Sequence, residues 1–331
     1  MPHAPSHRPL RIAYLYEHPS WFDATFAELE RRDVEVQRWF APDHVLDPAG
    51  PTPEVDLVVN RISPSAPSRG HGRTLGYARD LLRWCEARGV AVLHGSAVQD
   101  LETSKALQVE LLARLGLPHP RSRLIHDPRQ APAAARTLRF PLLVKPNVGG
   151  SGAGIRGFDH AGALDDAVAA GDLDLGPDGL ALVQERHRPR GGEIVRVEVL
   201  NGEVLYGIRL QLTSPDAFNL CPADVCRLPD ADDEGDATVP VRAFEPPADL
   251  AAAVLRLTAA AGIEVGGVEA LFDDDADGAP VLYDVNALSN FVSDAPQVLG
   301  FDPLEPYVDH LIVRAERARS ERTHRTVASA A

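Results

Sequence analysis

The stretch PLLVKPNVGGSGAG, residues 141–154, constrains the fold more than any other. An apolar run reads as a strand, a lysine stands near its end, and positions 149–154 hold four glycines and a serine. Backbone so poor in Cβ atoms lets its N–H groups approach phosphate closely. It is not a P-loop, because no Gly-Lys-Ser/Thr follows. Gly152-x-Gly154-x-x-Gly157 matches a dinucleotide fingerprint in letters, but that motif opens a helix, whereas IRGF reads as a further short strand. The loop therefore joins two strands.

Upstream, RIAYLYE (11–17), DVEVQRW and DLVVNRI (56–62) read as strands. They alternate with helices at WFDATFAELERR and Thr74–Arg88, and VAVLHG follows as a fourth strand. This describes a small α/β layer over roughly the first 97 residues. A helix is expected from Glu102 to Leu115, opened by Asp100 and closed by Gly116. LALVQERH reads as a strand. EIVRVEVL and EVLYGIRLQL flank Asn201-Gly202, a strong hairpin signal. The Pro- and Asp-rich section Ser214–Pro247 reads mostly as loop, and Asp249–Ala261 as a helix. GGVEALF and VLYDVN read as strands, Leu304–Arg319 as the last helix, and the tail from Ser320 as disordered. Hairpins after an α/β start point to α+β domains facing a cleft.

With 331 residues the chain exceeds one average domain. The formal net charge of −15 argues against nucleic acid or an anionic membrane as partner. No run approaches the roughly 18 apolar residues of a membrane span, and the opening MPHAPSHRPL lacks the apolar core of a secretory signal. The expected compartment is the cytoplasm. Cys85, Cys221 and Cys226 are too few for a disulfide framework, and C-x4-C is not a usual zinc spacing, so they read as reduced thiols. Of 33 basic side chains only two are lysine, Lys105 and Lys145. Where arginine serves every general purpose, a surviving compact three-donor ammonium calls for a chemical reason.

Other constellations carry chemistry as well. Glu269 on one strand, with Asp284 and Asn286 on one face of the next, supplies hard oxygen donors suited to Mg2+ held together with phosphates. The acidic run DDDADG (273–278) resembles the start of an EF-hand, but Pro280 stands where an apolar residue is needed and Asp284 where a Glu is, so it reads as a solvated turn. LVQERHRP offers backbone groups to a purine edge. Arg61, Arg196 and Arg209 lie among strand residues, where they either pair with acids or converge on an anionic substrate.

Taken in order, these segments resemble the ATP-grasp superfamily, most closely its RimK-like carboxylate-amine ligase branch, over roughly residues 1–318. The resemblance implies an α/β pre-ATP-grasp domain (1–97) followed by an α+β ATP-grasp fold of two subdomains with ATP held between them. These would be a central subdomain with the glycine loop (98–187) and a C-terminal subdomain with the metal site (188–318), before a tail (319–331). The two family lysines match the only two lysines here, Lys105 in SKALQ and Lys145 before the glycine loop. By the same resemblance both would contact ATP phosphates under Gly149, Gly150, Ser151, Gly152 and Gly154, with Lys145 also near the adenine. Gln184, Glu185, Arg186 and His187 would form the adenine-side hinge, and Glu193 would meet the ribose. Arg196, Arg209 and Asn219 would be the catalytic residues near the γ-phosphate.

The implied metal ligands are Glu269, Asp284 and Asn286, binding Mg2+ as two ions, with Mn2+ as a substitute. Here the family's Asp and Glu are exchanged, which preserves the carboxylate count. ALSN stands where Asn-x-Ser-Pro-Gly is usual, which leaves the acceptor loop near Ser289 and Asn290 harder to read. The implied activity is ADP-forming ligation of a small-molecule or peptide carboxylate to an amine through an acyl phosphate. The implied partners are those substrates and, as in many relatives, further copies of the chain. The alternative is a non-catalytic ATP-binding regulatory protein of the same fold.

Overall fold

The computed structural model describes residues 8–212, 214, 240–273 and 279–330, the last six of these by their backbone. Asn219, Cys221 and Cys226, with residues 215–239 of the Pro- and Asp-rich section and acidic-turn residues 274–278, lie outside the described residues. Two compact units emerge: Met1–Ile62 with Thr74–Ser96 and Pro303–Ala331, and Ser63–Arg73 with Ala97–Asp302.

The first unit is a parallel sheet in the order β2-β1-β3-β4, formed by β1 (Leu10–Tyr16), β2 (Val34–Phe40), β3 (Leu57–Arg61) and β4 (Val92–Leu93), with α1 (Asp23–Arg31) and α2 (Arg73–Ala87) as crossovers. β1 and β3 are buried on both faces, as parallel strands covered by helices must be, so they read as continuous apolar runs instead of alternating ones. Ala13, Leu15, Val58, Leu81, Leu82 and Cys85 form one core.

In the second unit, the single helix expected from Glu102 is two: α3 (Ser96–Glu102) and α4 (Lys105–Arg114). Ser104, not Asp100, opens the latter, its side chain accepting Leu107 N–H at 3.3 Å. An antiparallel sheet β5-β8-β6-β7 follows, from β5 (Ser122–Ile125), β6 (Leu142–Pro146), β7 (Arg156–Phe158) and β8 (Ala181–Glu185). α5 (Ala131–Ala135) and α6 (Ala161–Ala170) cover one face, packing on Leu142, Val144 and Val183. By the two-residue period, Leu143, Lys145 and Gln184 point to the other face.

A second antiparallel sheet has the order β11-β10-β9-β12-β13, from β9 (Pro189–Leu200), β10 (Glu203–Gln211), β11 (Val241–Ala243), β12 (Val265–Asp273) and β13 (Pro280–Asn286). Asn201 and Gly202 both take positive φ, 52° and 81°, as a tight hairpin requires. β11 is a short strand inside the section expected to be loop. α7 (Ala248–Ala261) and α4 pack on Val195, Val197, Val268, Ala270 and Val285, so this sheet also has one covered face. α8 (Ala295–Leu299) follows β13.

The last helix, α9 (Leu304–Ala330), contacts β1, β3 and α1 and so belongs with the first unit instead of the C-terminal subdomain. It runs well past Arg319 into the tail expected to be disordered. Asp56 draws it in, accepting Arg319 Nη2 at 2.6 Å and pairing with Arg322.

Candidate functional site

The faces of the two sheets of the second unit opposite α5 and α6 and opposite α4 and α7 line a cavity of about 840 Å³, and beside it part of the five-stranded sheet's same face packs on α8. Lys145 and Leu143 reach it from β6, Ile194 and Arg196 from β9, Glu269 and Leu271 from β12, and Asp284 and Asn286 from β13. Gly149, Gly150, Ser151 and Gly152 form its rim after β6, and Gln184, Glu185, Arg186 and His187 its border at the end of β8.

The register of the five-stranded sheet explains the grouping. Arg196 lies opposite Glu269, and Glu269 opposite Asp284. Directly paired residues share a face, so residues far apart in sequence form one row of charge. Arg196 is locked in it: its Nε donates to Glu198 at 2.6 Å, Nη1 to Glu269 at 3.2 Å and Nη2 to the buried Ser289 hydroxyl at 3.4 Å. Gly267 makes room for this knot, because a Cβ there would stand 2.5 Å from both Arg196 Nε and Glu198 Oε1.

The lysines are gathered by Asn147, whose backbone carbonyl accepts Lys105 N–H at 3.1 Å and whose Oδ1 accepts Ala106 N–H at 2.9 Å. This ties the start of α4 to the end of β6. Lys105 Nζ forms an ion pair with Asp284. Burial works to lower the Lys105 pKa, yet the Asp284 carboxylate outweighs it and holds the group above its ordinary value. Burial, with the charge of Lys105, pulls Lys145 down to about 8. Burial would raise Asp284, but Lys105 and Lys145 keep it low; burial and the charge of Asp284 push Glu269 up.

Such a donor set fits a divalent cation. Glu269, Asp284 and Asn286 are hard oxygen donors, and the strain between two facing carboxylates is what a cation between them would relieve. Among the described residues no three His, Cys, Asp or Glu side chains cluster at metal-binding distance, so the amide of Asn286 would be the third protein donor.

Not every expected residue reaches the cavity. Arg209 is opposite Val195 and sits on the sheet's helix-covered face, where Nη1 donates to Glu193 at 3.1 Å and the guanidinium lies 4.3 Å from the centre of the Phe244 ring. The cause is a β-bulge between Val204 and Tyr206. Without its extra residue, Arg209 would pair with Ile194 and share the face of Arg196; a one-residue shift sends it to the opposite side. Glu193 lies on that face too, holding Arg242 as well as Arg209. Gly154 stands behind the rim, its φ of +74° and a hypothetical Cβ 2.8 Å from Pro146 both requiring glycine. Glu185 borders the cavity, but its carboxylate accepts Arg139 N–H at 2.9 Å and pairs with Arg121.

Sequence reading missed Asn147 and Glu198 and placed Ser289 only near an acceptor loop, not as a partner of Arg196. A signal existed for both: Asn147 directly follows Lys145-Pro146, and Glu198 is an acid inside an apolar strand, which needs a partner when buried.

No protein-family model matches the chain, and no curated protein matches it. Solved structures do. A RimK domain ATP-grasp protein from Sphaerobacter thermophilus aligns at 18% identity over 91% of this chain and 99% of its own, with a TM-score of 0.64. The ATP-grasp ligase PsnB, complexed with a minimal precursor, aligns at 18% identity over 92% and 99%, TM-score 0.63. D-alanine–D-alanine ligase from Bacillus anthracis, complexed with ATP, aligns at 15% identity over 95% and 99%, TM-score 0.63. The chain has the ATP-grasp fold.

Proposed function

We propose that the chain is an ATP-dependent ligase that joins a carboxylate to an amine and releases ADP and phosphate. The observation that carries this reading is the single cavity in which a glycine loop and two ammonium groups adjoin a carboxylate pair and an immobilised guanidinium. The described solved structures with this fold, a ligase bound to a precursor and another bound to ATP, support the same chemistry.

In this reading the triphosphate lies under the backbone of Gly149–Gly152, with Lys105 and Lys145 against its oxygens. Mg2+ held by Glu269, Asp284 and Asn286 would supply Lewis-acid neutralisation of phosphate charge. A substrate carboxylate oxygen bonds to the γ phosphorus while the bond to the bridging oxygen breaks, giving an acyl phosphate and ADP. The amine nitrogen then bonds to the acyl carbon, the carbon–oxygen bond to phosphate breaks, and the amine proton passes to solvent. Arg196 cannot swing away from its three partners, so it presents a fixed positive charge to the tetrahedral oxyanion. Closure of the glycine loop over the phosphates keeps water from the acyl phosphate.

The test is nucleotide analysis by mass spectrometry after incubation with Mg2+, ATP and pools of amino acids, short peptides and small carboxylates. ADP and phosphate rising only with a pool are expected, and deconvolution then identifies the substrates. AMP with pyrophosphate would overturn the mechanism. ATP binding without pool-dependent turnover would favour the regulatory alternative over the ligase.

A further inference from the structure

The cavity is polar at both ends and apolar between them. Along β6, Lys145 stands at the glycine-loop end, Leu143 comes next on the same face, and Pro141 lies beyond it. Along β12, Glu269 stands at the same end, Leu271 comes next, and Asp273 closes the strand. Two residues of strand advance about 7 Å. If the triphosphate occupies the lysine end, as proposed above, the planar base lies between Leu143, Ile155, Ile194 and Leu271, and its far edge meets His187 at the end of β8.

His187 is not placed there by chance packing. Its Nδ1 lies 2.7 Å from Asp273 Oδ2, with both side chains nearly buried, at 12% and 7% exposure. An ionised carboxylate can only accept, so Nδ1 carries the hydrogen, and in the neutral imidazole Nε2 is left as an acceptor. An acceptor at the edge of the base matches the exocyclic amine of a 6-amino purine and opposes the carbonyl oxygen of a 6-oxo purine. We infer that Asp273 is a positioning residue that makes the site select adenine over 6-oxo purines by holding His187 in one tautomer. This inference rests on the ATP reading of the cavity.

The experiment is titration calorimetry of the full chain with ATP, ITP and inorganic tripolyphosphate. Wild type is expected to prefer ATP to ITP by about ten-fold or more, the size of one mismatched buried hydrogen bond. In Asp273→Asn the amide can accept from Nδ1 or donate to it, so the hydrogen is no longer held on one nitrogen; the ATP/ITP ratio then falls toward unity, while tripolyphosphate binding is unchanged. His187→Gln offers its own amide oxygen and should keep a preference that Asp273→Asn in the same background no longer lowers. If Asp273→Asn does not fold, His187→Gln against His187→Ala carries the test: the first keeps the preference and the second loses it.

Equal affinity of wild type for ATP and ITP, or an unchanged ratio in folded Asp273→Asn, would overturn this inference and leave the ATP reading standing. Binding of neither nucleotide would overturn the ATP reading itself, and this inference with it.

Discussion

Both units bury carboxylates, and they treat them differently. In the first unit Asp56, wholly buried, accepts Arg11 N–H at 2.9 Å and Arg8 Nη2 at 2.9 Å, together with Arg319 and Arg322. Burial pushes its pKa up, but the arginine and backbone hydrogen bonds outweigh it and leave the group below its ordinary value. In the second unit Glu269 and Asp284 face each other, Glu269 is pushed up by burial and that charge, and one oxygen of Glu198 has no partner among the described residues. A saturated carboxylate holds a fold together; one left in conflict with its neighbours is poised to receive something else.

The largest expected effect breaks this comparison on activity. Asp284→Ala should lower pool-dependent ADP formation by about a thousand-fold or more, the scale on which loss of electrostatic stabilisation at a reacting centre acts. Asp56→Ala should leave the activity of the folded fraction near wild type but cost about 3 kcal/mol of stability in urea titrations, because it strands arginines around a buried site. A stability loss of equal size for both would erase the distinction.

The two units should also answer pH with opposite sign. Glu102, buried and accepting Ala287 N–H, has its pKa pushed from 4.5 to about 7, mainly by burial. A carboxylate whose folded pKa is raised binds its proton more tightly when folded. Its contribution is therefore complete below pH 4.5 and lost as pH rises through 7, up to roughly 3 kcal/mol. Asp56, with its pKa lowered, contributes above pH 3.8 and loses that contribution as pH falls below it. Unfolding free energies at pH 4.5 and 8 should thus diverge less in Glu102→Gln than in wild type; an unchanged pH dependence would show that Glu102 is not the group responsible.

The smallest effect sharpens the contrast between two arginines thirteen residues apart in sequence. Arg209→Ala removes a partly exposed ion pair with Glu193 and should cost at most about 1 kcal/mol in thermal or urea melts, with turnover within a few-fold of wild type. Arg196→Ala removes the guanidinium at the cavity and should abolish measurable turnover. Equal losses of turnover would return Arg209 to the site.

Much of the site was legible as chemistry. Lys105 and Lys145 stood out because arginine had taken every other cationic position, and both line the cavity. Asp284 and Asn286 shared a face by strand periodicity alone, and the register keeps them there. What could not be read was which face a residue takes when a strand carries a bulge. Arg196 and Arg209 have the same apolar flanks, and one extra residue near Leu205 separates their fates. Asp273 was hidden for another reason: it begins an acidic run that reads as solvated turn, and only its contact with His187, 86 residues away, gives it a role.

The sequence by itself determined the order of strands and helices, the glycine loop and the kinds of charged group at hand, because periodicity, turn residues and side-chain chemistry act over a few neighbouring positions. Tertiary structure alone decided that Arg196, Glu269 and Asp284 form one row, that α9 packs with the first unit, and that Glu193 and Arg209 pair away from the cavity. Those outcomes depend on pairing between distant strands, where burial and register, not local preference, select the partner.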